Sequence, residues 1–376
     1  AFIGAKMRVV CHDACAKQHI AQVESIRIVE AGPLYAQLEF AGNLGSTGLL
    51  ISGCLDFHAG SNLIRLELTL KNPRRARHRG GYWDLGDPGS VLVEDLTLEV
   101  NVPNVLVEEI RWLEHPDAKP HSSRGEKLEI YQDSSGGRNW KSQNHVNSDG
   151  VTASRYSGYR VRSGVHESAG IRASPSVAVV GGGRHLTCVL EEFWEQFPSA
   201  LEVEGQQIRV RFWPPQYRDL HELQGGEHNT RVTWFDCGNQ AGNSWRRLSW
   251  VHNRPVALAG AAEMAKSQVI PFLPPPTAPV RSEYKSALAA AVSGTRNFFA
   301  KRETIDEYGW RNFGDFWADH EEVYAQGSSP TISHYNNQYD LLHGLLVQFL
   351  LSADPRWWRL ADPLARHIMD IDIYHT

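Results

Sequence analysis

Four segments of the chain combine histidine, carboxylate, amide and aromatic side chains more densely than a loop requires. They cover residues 131–140, 221–230, 310–321 and 334–340. The second segment is the richest, since two histidines and two carboxylates surround the flexible pair Gly225-Gly226. Groups of these types can transfer protons, compensate a negative charge or hydrogen bond to a polar ligand. We therefore expect the functional site in these segments.

Several residues in these segments are candidates for direct contact with a ligand. They are Gln132, Asp133, Trp140, Glu222, Gln224, Glu227, His228, Asn312, Asp315, Asn336, Asn337 and Asp340. Some of them also have a purely structural interpretation. Asp133 is a common turn former, and Asn336 or Asn337 can cap the helix that follows. Asp315 and Asp319 share one face if that stretch is helical, which suits either a cation or an exposed acidic pair.

Several familiar catalytic motifs are absent from the sequence. It contains no Gly-x-Ser-x-Gly nucleophile elbow and no His-Glu-x-x-His helix, which argues against serine hydrolases and zincins. Neither Gly136-Gly137 nor Gly225-Gly226 has the pattern of a phosphate-binding loop. Cys11 and Cys15, with histidines nearby, form only an incomplete metal pattern. We expect no metal site and no cofactor, and calcium is the one ion left open.

The composition argues against some classes of binding partner and favours another. The net charge of −5 argues against a nucleic acid. No stretch approaches the roughly 20 apolar residues that a membrane helix needs, so a membrane partner is not expected either. Twelve tryptophans are a high share for 376 residues. Because aromatic faces stack on sugar rings, this share favours a carbohydrate ligand.

Alternation of apolar and polar residues predicts a large antiparallel β-sandwich over residues 1–270. The pattern recurs at 34–40, 64–70, 96–100 and 208–212. A period of two buries one face of each strand, as is usual in antiparallel sheets. Clusters of Gly, Asn, Asp and Ser separate these stretches and supply the turns. We expect two such sheets packed face to face.

A proline-rich linker at residues 271–280 separates this sandwich from a helical part at 281–376. Five of these ten linker residues are proline, which fits neither a helix interior nor a central strand. Beyond the linker, apolar residues at helical spacing predict helices, most strongly over 341–350. Asp354-Pro355 starts the next helix, because aspartate caps a helix and proline fits its first turn. The chain is therefore expected to be a multidomain protein, β first and then α.

Longer motifs point to a family. Besides the four segments, they are Trp83-Asp84-Leu-Gly-Asp87, Tyr156-Ser-Gly-Tyr-Arg160 and the run 192–203 that leads towards His221. Together they resemble the exo-rhamnogalacturonan lyases, polysaccharide lyase family 26, over nearly the whole chain. In that family a small β-barrel precedes a central β-sandwich and an α/α toroid. The resemblance implies that this chain is a fragment with the sandwich and the first helices of the toroid.

The resemblance also implies a substrate and a reaction. The substrate is an acidic polysaccharide, a pectin-type rhamnogalacturonan backbone, cleaved by β-elimination. A base removes the C5 proton of a uronate, an acid protonates the leaving O4, and the uronate carboxylate must be neutralised. We assign proton transfer to His221 or Tyr339 and the carboxylate to Arg311 or Asn337, with His320 as a further base or neutralising group. The expected location is secreted, cell-surface or periplasmic.

Three alternatives stay open at this point. A glycoside hydrolase on a toroid would use two carboxylates, and Asp315 or Asp319 with Glu222 or Glu227 could serve. A lyase of the same architecture could act on glucuronate-containing chains. The third alternative is a carbohydrate-binding sandwich without catalysis, whose polar loops only join the two domains.

One geometric expectation follows for the candidate site. Trp140, His221, Asn312 and Tyr339 should face a common concavity where the sandwich meets the helices. In this arrangement His221 belongs to a loop that we expect to be exposed, so that replacing it should change stability little.

Overall fold

Two antiparallel sheets of nine strands each dominate the structure. The computed structural model describes residues 5–78, 85–102, 106–124, 127–164, 166–239, 246–271, 273–275, 277–317 and 339–375. In chain order the described strands are β1 Lys6–Asp13, β2 Gln18–Ile20, β3 Gln22–Ala31, β4 Tyr35–Asn43, β5 Leu50–His58, β6 Leu63–Lys71, β7 Val91–Asn101, β8 Glu109–Leu113, β9 His121–Ser123, β10 Leu128–Gln132, β11 Tyr159–Ser163, β12 His166–Gly170, β13 Ser176–Gly181, β14 Arg184–Leu190, β15 Ser199–Glu204, β16 Gln207–Trp213, β17 His221–Leu223 and β18 His228–Gly238.

The strand order mixes early and late parts of the chain. The first sheet runs β12-β11-β10-β15-β16-β7-β1-β2, and β17 also pairs with β7. The second sheet runs β3-β4-β5-β6-β18-β14-β13-β8-β9. In it, β18 lies between β6 and β14 and joins the first four strands of that sheet to the rest. The antiparallel sandwich predicted from the sequence is confirmed.

The predicted alternation accounts for the core between the sheets. On β6, Leu66 and Leu68 are buried, as are Leu96 and Leu98 on β7 and Val210 on β16. One cluster of buried residues includes side chains from both sheets, which makes the sheets two layers of a single sandwich. Each fully buried leucine of this kind contributes about 2 kcal/mol to folding.

Five α-helices follow the last strand within the described residues. They are α1 Ala261–Ser267, α2 Ser282–Val292, α3 Phe298–Ile305, α4 Leu341–Ser352 and α5 Pro355–His367. Helix α5 begins as predicted, since Asp354 accepts a hydrogen bond at its N-terminus and Pro355 occupies the first turn. Helices α4 and α5 share a second core, to which they contribute Phe349 and Leu360.

Helix α1 lies within the range 1–270 that the sequence assigns to the sandwich. Among the described residues the last strand ends at Gly238, and α1 precedes the proline-rich linker; the domain limits at 270 and 281 stay predictions. The α/α toroid stays a prediction, because the described helices are only the five given above. The longest of them, α5, has 13 residues, and no described helix combines the length and the apolar character of a membrane span.

Polar contacts fasten the end of the helical part to the second sheet. The carboxylate of Asp370 accepts hydrogen bonds from the backbone N–H and the hydroxyl of Thr230, both at 2.8 Å. The guanidinium of Arg366 lies 3.2 Å from the carboxylate of Glu67 on β6. Because Thr230 belongs to the central strand β18, the segment after α5 is fixed to the middle of the sheet.

Candidate functional site

A cleft of about 300 Å³ lies beside the first sheet. Most of its wall comes from three segments, 144–149, 217–222 and 308–312. The first follows the polar segment 131–140, the second leads into strand β17, and the third follows helix α3. Residues far apart in the sequence therefore meet in one concavity, which is the usual form of a small-ligand site.

Asp306 joins the first and third wall segments. It lies at the C-cap of α3 with φ of 58°, and its side chain is completely buried. Its carboxylate accepts hydrogen bonds from the hydroxyl of Ser135 at 2.5 Å and from Nε2 of His145 at 2.6 Å. Asn144 donates from its side chain to the backbone oxygen of Asp306 at 3.4 Å. This carboxylate therefore sets the position of the 308–312 segment relative to the sandwich.

The 308–312 segment is also attached to the strand region through its backbone. The N–H of Gly309 donates to the oxygen of Glu195 at 2.7 Å, and that of Trp310 donates to the oxygen of Phe197 at 3.0 Å. Gly309 has φ of 90°, a conformation that glycine adopts without the steric penalty of a side chain. The next residues, Arg311 and Asn312, are thereby placed in the cleft wall.

Arg311 is paired rather than free. Its guanidinium donates to the carboxylate of Glu227 and to the backbone oxygen of Glu222, and it lies 4.8 Å from the centre of the Trp310 ring. The other oxygen of Glu227 accepts the backbone N–H of Gln224 at 2.7 Å. The charge expected to neutralise a substrate carboxylate thus already has a buried anionic partner.

His221 is buried, so the expectation of an exposed loop residue is wrong. It begins strand β17, pairs with Val93 of β7, and is only 2% exposed. Its imidazole is stacked between two aromatic rings, with centroids 5.5 Å from Trp213 and 5.3 Å from Tyr217. The flanking aromatic residues and the strand pairing, which the loop interpretation overlooked, account for this burial.

The protonation state of His221 follows from its burial. Desolvation lowers its pKa to about 4, because the charged imidazolium loses its hydration there. Its Nε2 lies 3.5 Å from the backbone oxygen of Pro214, and since a carbonyl only accepts, this nitrogen carries the proton. Nδ1 is buried and has no hydrogen-bond partner among the described residues. At neutral pH the ring is therefore uncharged, with an acceptor nitrogen at Nδ1.

Glu222, Asp219 and Asn312 contribute further polar groups to the cleft wall. Glu222 accepts hydrogen bonds at Oε1 from the hydroxyl of Ser90 at 2.6 Å and from a backbone N–H. Asp219 accepts one from the side chain of Asn147 at 2.6 Å. Asn312 donates from its side chain to a backbone oxygen at 2.7 Å. One oxygen of Glu222 and the side-chain oxygen of Asn312 keep unused acceptor capacity among the described contacts.

Four of the predicted site residues line this cleft, namely His221, Glu222, Arg311 and Asn312. Gln132 and Asp133 are completely buried and serve the fold instead. The side chain of Gln132 bonds three backbone groups of nearby turns. The carboxylate of Asp133 accepts from the hydroxyl of Tyr131 and from two backbone N–H groups. For Asp133 these contacts agree with the turn interpretation.

Other predicted residues lie behind or beside the cleft wall. Gln224 and Glu227 are buried next to Arg311. His228 stacks on His375 at a centroid distance of 3.9 Å, and burial is the main cause that lowers its pKa to about 4. Asp315 is buried, with its carboxylate 3.5 Å from His367. None of these four residues is part of the cleft lining.

The remaining predicted residues lie just before α4 or at the end of the segment 131–140. Tyr339 is 63% exposed, Asp340 occupies the N-cap of α4, and Trp140 is half-buried beneath the ammonium of Lys141. None of Trp140, Tyr339 and Asp340 lines the cleft. His320, Asn336 and Asn337 lie outside the described residues, as do Trp83 and Asp84 of the family resemblance.

Sequence reasoning missed several residues of the cleft. His145 and Asn147 follow the first polar segment by a few positions, and Tyr217 and Asp219 precede the second. Burial raises the pKa of the Tyr217 phenol to about 12, so it stays protonated at neutral pH. Extending each polar segment by several residues would have included all four, since polar and aromatic residues continue beyond the limits chosen.

Acidification is expected to destabilise the fold between about pH 6.5 and pH 4. In this window the unfolded chain binds a proton at His221, whereas the native state does not, because the native pKa is about 4. Stability therefore rises with pH across the window and is lost on acidification, by about 3 kcal/mol for this residue at about 1.4 kcal/mol per pKa unit. His252 and the half-buried His228 act in the same direction.

Urea unfolding at pH 7, 5.5 and 4.5 measures this effect, with His221→Phe as the matched variant. Phenylalanine retains a planar ring and cannot titrate. The protein should lose more stability than the variant on acidification, and the difference isolates His221 from the other histidines. Equal losses in both proteins would contradict the assignment.

Comparisons with known proteins give only weak structural similarity. No family model and no curated protein match the sequence. Similar solved structures include a glycoside hydrolase family 36 α-galactosidase from Geobacillus stearothermophilus, with 9% identity, a TM-score of 0.35, and coverage of 64% of this chain and 30% of that chain. A Klebsiella pneumoniae protein assigned as an aldose 1-epimerase has 12% identity, a TM-score of 0.34, and coverage of 65% of both chains.

An α-galactosidase from Lactobacillus brevis is similar over 69% of this chain and 30% of that chain, with 9% identity and a TM-score of 0.32. The alignments thus span less than a third of the length of the galactosidases. At these values the likeness carries no argument about activity. None of these structures points to polysaccharide lyase family 26.

Proposed function

We propose that the chain binds a carbohydrate in the cleft and belongs to an enzyme that processes polysaccharides. The observation that carries this proposal is the lining of the cleft. The aromatic residues Tyr217 and Trp310 lie in the same concavity as Asp219, Glu222 and Asn312. Sugars present apolar C–H faces, on which aromatic rings can stack, and many hydroxyl groups, to which carboxylates and amides can hydrogen bond.

For the reaction, we propose β-elimination on a uronate-containing chain, the activity that the family resemblance implies. The support is that His221 lies in the cleft wall and is uncharged at neutral pH, which is the form able to accept a proton. Asn312 and the partly compensated Arg311 lie in the same cleft. They would bind the uronate carboxylate, whose neutralisation makes the C5 proton more acidic.

A second candidate is glycoside hydrolysis, favoured by the presence of more than one carboxylate in the cleft wall, where Asp149 also lies. Asp219 and Glu222 both line it, whereas Asp315 and Glu227, two of the carboxylates considered from the sequence, do not. Hydrolysis requires one carboxyl group as acid and another as base or nucleophile on either side of the bond. The non-catalytic alternative would retain sugar binding without either reaction.

Product analysis separates these candidates. The protein is incubated with rhamnogalacturonan, with a glucuronate-containing polysaccharide and with a neutral galactoside, in ¹⁸O-labelled water. Elimination gives an ultraviolet-absorbing C4=C5 double bond and no incorporated label, whereas hydrolysis gives saturated, labelled products. We expect the unsaturated product from an acidic substrate. Saturated products alone would replace the elimination proposal by hydrolysis, and binding without any product would leave a carbohydrate-binding module.

Glu222→Gln tests the same question at the level of the cleft. The variant keeps an oxygen that can accept from Ser90, so the local structure should persist. For an elimination enzyme we expect turnover within about fivefold of the original, because no acid–base role is assigned to Glu222. For a hydrolase turnover should fall by about 100-fold or more. Glu30→Gln, on the exposed strand β3, is the matched control and should have no effect in either case.

A further inference from the structure

One carboxylate and two imidazoles meet at the open side of the sandwich, outside the cleft. Glu114 follows β8, His121 begins β9, and His166 begins β12. Strand β9 is an edge strand of the second sheet, and β12 is an edge strand of the first. The three side chains therefore lie between the edge strands of two different sheets. None of them lines the cleft.

Their spacing fits a metal ion better than direct hydrogen bonds. Oε1 of Glu114 lies 3.8 Å from Nε2 of His121 and 3.9 Å from Nε2 of His166. All three potential ligand atoms lie within 4.8 Å of one another. Four ligands at 2.0–2.1 Å from tetrahedral zinc are about 3.3 Å apart. The observed distances are too long for good hydrogen bonds and within a small side-chain rotation of zinc coordination.

A second observation concerns His166. Its Nε2 is buried and has no hydrogen-bond partner among the described residues. A buried polar atom without a partner is unfavourable, because it loses the hydrogen bonds that it makes to water in the unfolded chain. A cation between the imidazoles and the carboxylate would satisfy this nitrogen.

The surrounding residues hold the three groups in place. Glu114 accepts hydrogen bonds from the hydroxyl of Tyr159 at 2.7 Å and from that of Ser168 at 2.6 Å. The buried indole of Trp112 stacks on His121 at 5.4 Å and meets the edge of His166 at 5.6 Å. Hydrogen-bonded carboxylates and oriented imidazoles are the usual support of protein metal sites.

We propose that Glu114, His121 and His166 bind a zinc ion. Two imidazoles and one carboxylate are zinc ligands, whereas calcium prefers a shell of oxygen atoms. Both histidine side chains are 34% exposed, and a water molecule would supply the fourth ligand. The ion connects β9 of one sheet to β12 of the other and closes the open side of the sandwich. This role is independent of the reaction in the cleft.

Zinc binding to the metal-free protein tests the proposal. Isothermal titration and metal analysis after gel filtration should give one equivalent of zinc, and zinc should raise the melting temperature. His121→Ala and His166→Ala should abolish both effects, while His58→Ala, at an exposed position of β5, should retain them. Tyr159→Phe keeps the ring but removes the hydroxyl that orients Glu114, so it should weaken binding by about 10-fold or more.

Two further measurements guard against misfolded variants. Each variant should match the original protein in circular dichroism and in melting temperature when EDTA is present. Cobalt bound to the original protein should give the visible absorption of a four-coordinate nitrogen–oxygen site. Zinc binding that persists in His166→Ala, or no zinc binding by the original protein beyond that of His121→Ala, would overturn the proposal.

Discussion

His221→Phe is expected to lower turnover by about 100-fold or more while the melting temperature at pH 7 stays close to that of the original protein. The phenyl ring can occupy the space between Trp213 and Tyr217, so the stack at 5.5 and 5.3 Å is largely retained. What is lost is the uncharged imidazole, and acid–base groups typically contribute 10²–10⁴-fold to the rate. Steady-state kinetics on the substrate found by product analysis, with a thermal melt of the same sample, measures both quantities.

His221→Ala is the companion variant. Removing a buried ring leaves a cavity between two aromatic side chains, so we expect a loss of about 2–4 kcal/mol in the free energy of unfolding. Activity should fall in both variants, but only the alanine should destabilise. If His221→Phe is fully active, the residue acts in packing alone and has no part in catalysis.

The second large effect is expected at Asp306, where alanine should cost about 3–5 kcal/mol of stability. The completely buried carboxylate accepts hydrogen bonds from Ser135 and His145. Its removal would leave both donors buried without a partner and detach the 308–312 segment from the first wall of the cleft. Urea unfolding measures the stability, and substrate affinity should weaken with it.

Asp362→Ala is the matched control for Asp306→Ala. Asp362 also belongs to an ion pair, 2.6 Å from Arg254, but both side chains are more than a third exposed. Exposed pairs contribute about 0–1 kcal/mol, so this variant should remain close to the original protein. Equal stability losses in the two variants would show that Asp306 does not hold the junction.

The sandwich was predictable because its signal is local. Residues such as Leu66, Leu68 and Leu70 alternate with polar neighbours, and the same alternation appears in the burial of β6. The cap of α5 at Asp354-Pro355 was likewise readable from two adjacent residues. In both cases the physical cause acts over a few positions of the chain.

The site was only partly predictable because its contacts are long-range. The pairing of Arg311 with Glu227 spans 84 positions and that of His145 with Asp306 spans 161. No local pattern shows that such charges are already compensated. Density of polar residues identified two segments that contribute to the cleft wall, 221–230 and 310–321, but it did not separate Asp133, whose bonds shape a turn, from side chains that face the cleft.

The same limit applies to Glu114, His121 and His166. Glu114 follows β8 and His121 begins β9 of one sheet, whereas His166 begins β12 of the other. The intervals between the three residues in the sequence match no zinc motif. Only the folding of two sheets against each other brings them within 4.8 Å. A site formed by the edge strands of two sheets cannot be recognised from the sequence before the packing of the sheets is known.

The central position of β18 has a consequence for the order in which the molecule folds. As the chain emerges from the ribosome, β3 to β6 can form a meander at once, but β6 keeps one unpaired edge until β18 has been made. Thr69 of β6 pairs with Thr230 of β18, which is 161 positions later in the sequence. Closing such a long loop is slow compared with forming a hairpin. Until then the early strands carry an open edge, at which unfinished chains can pair with one another. Slowing translation between the codons for β6 and those for β18 should therefore reduce the yield of soluble protein. The reduction should be larger than when translation is slowed after the codon for Gly238.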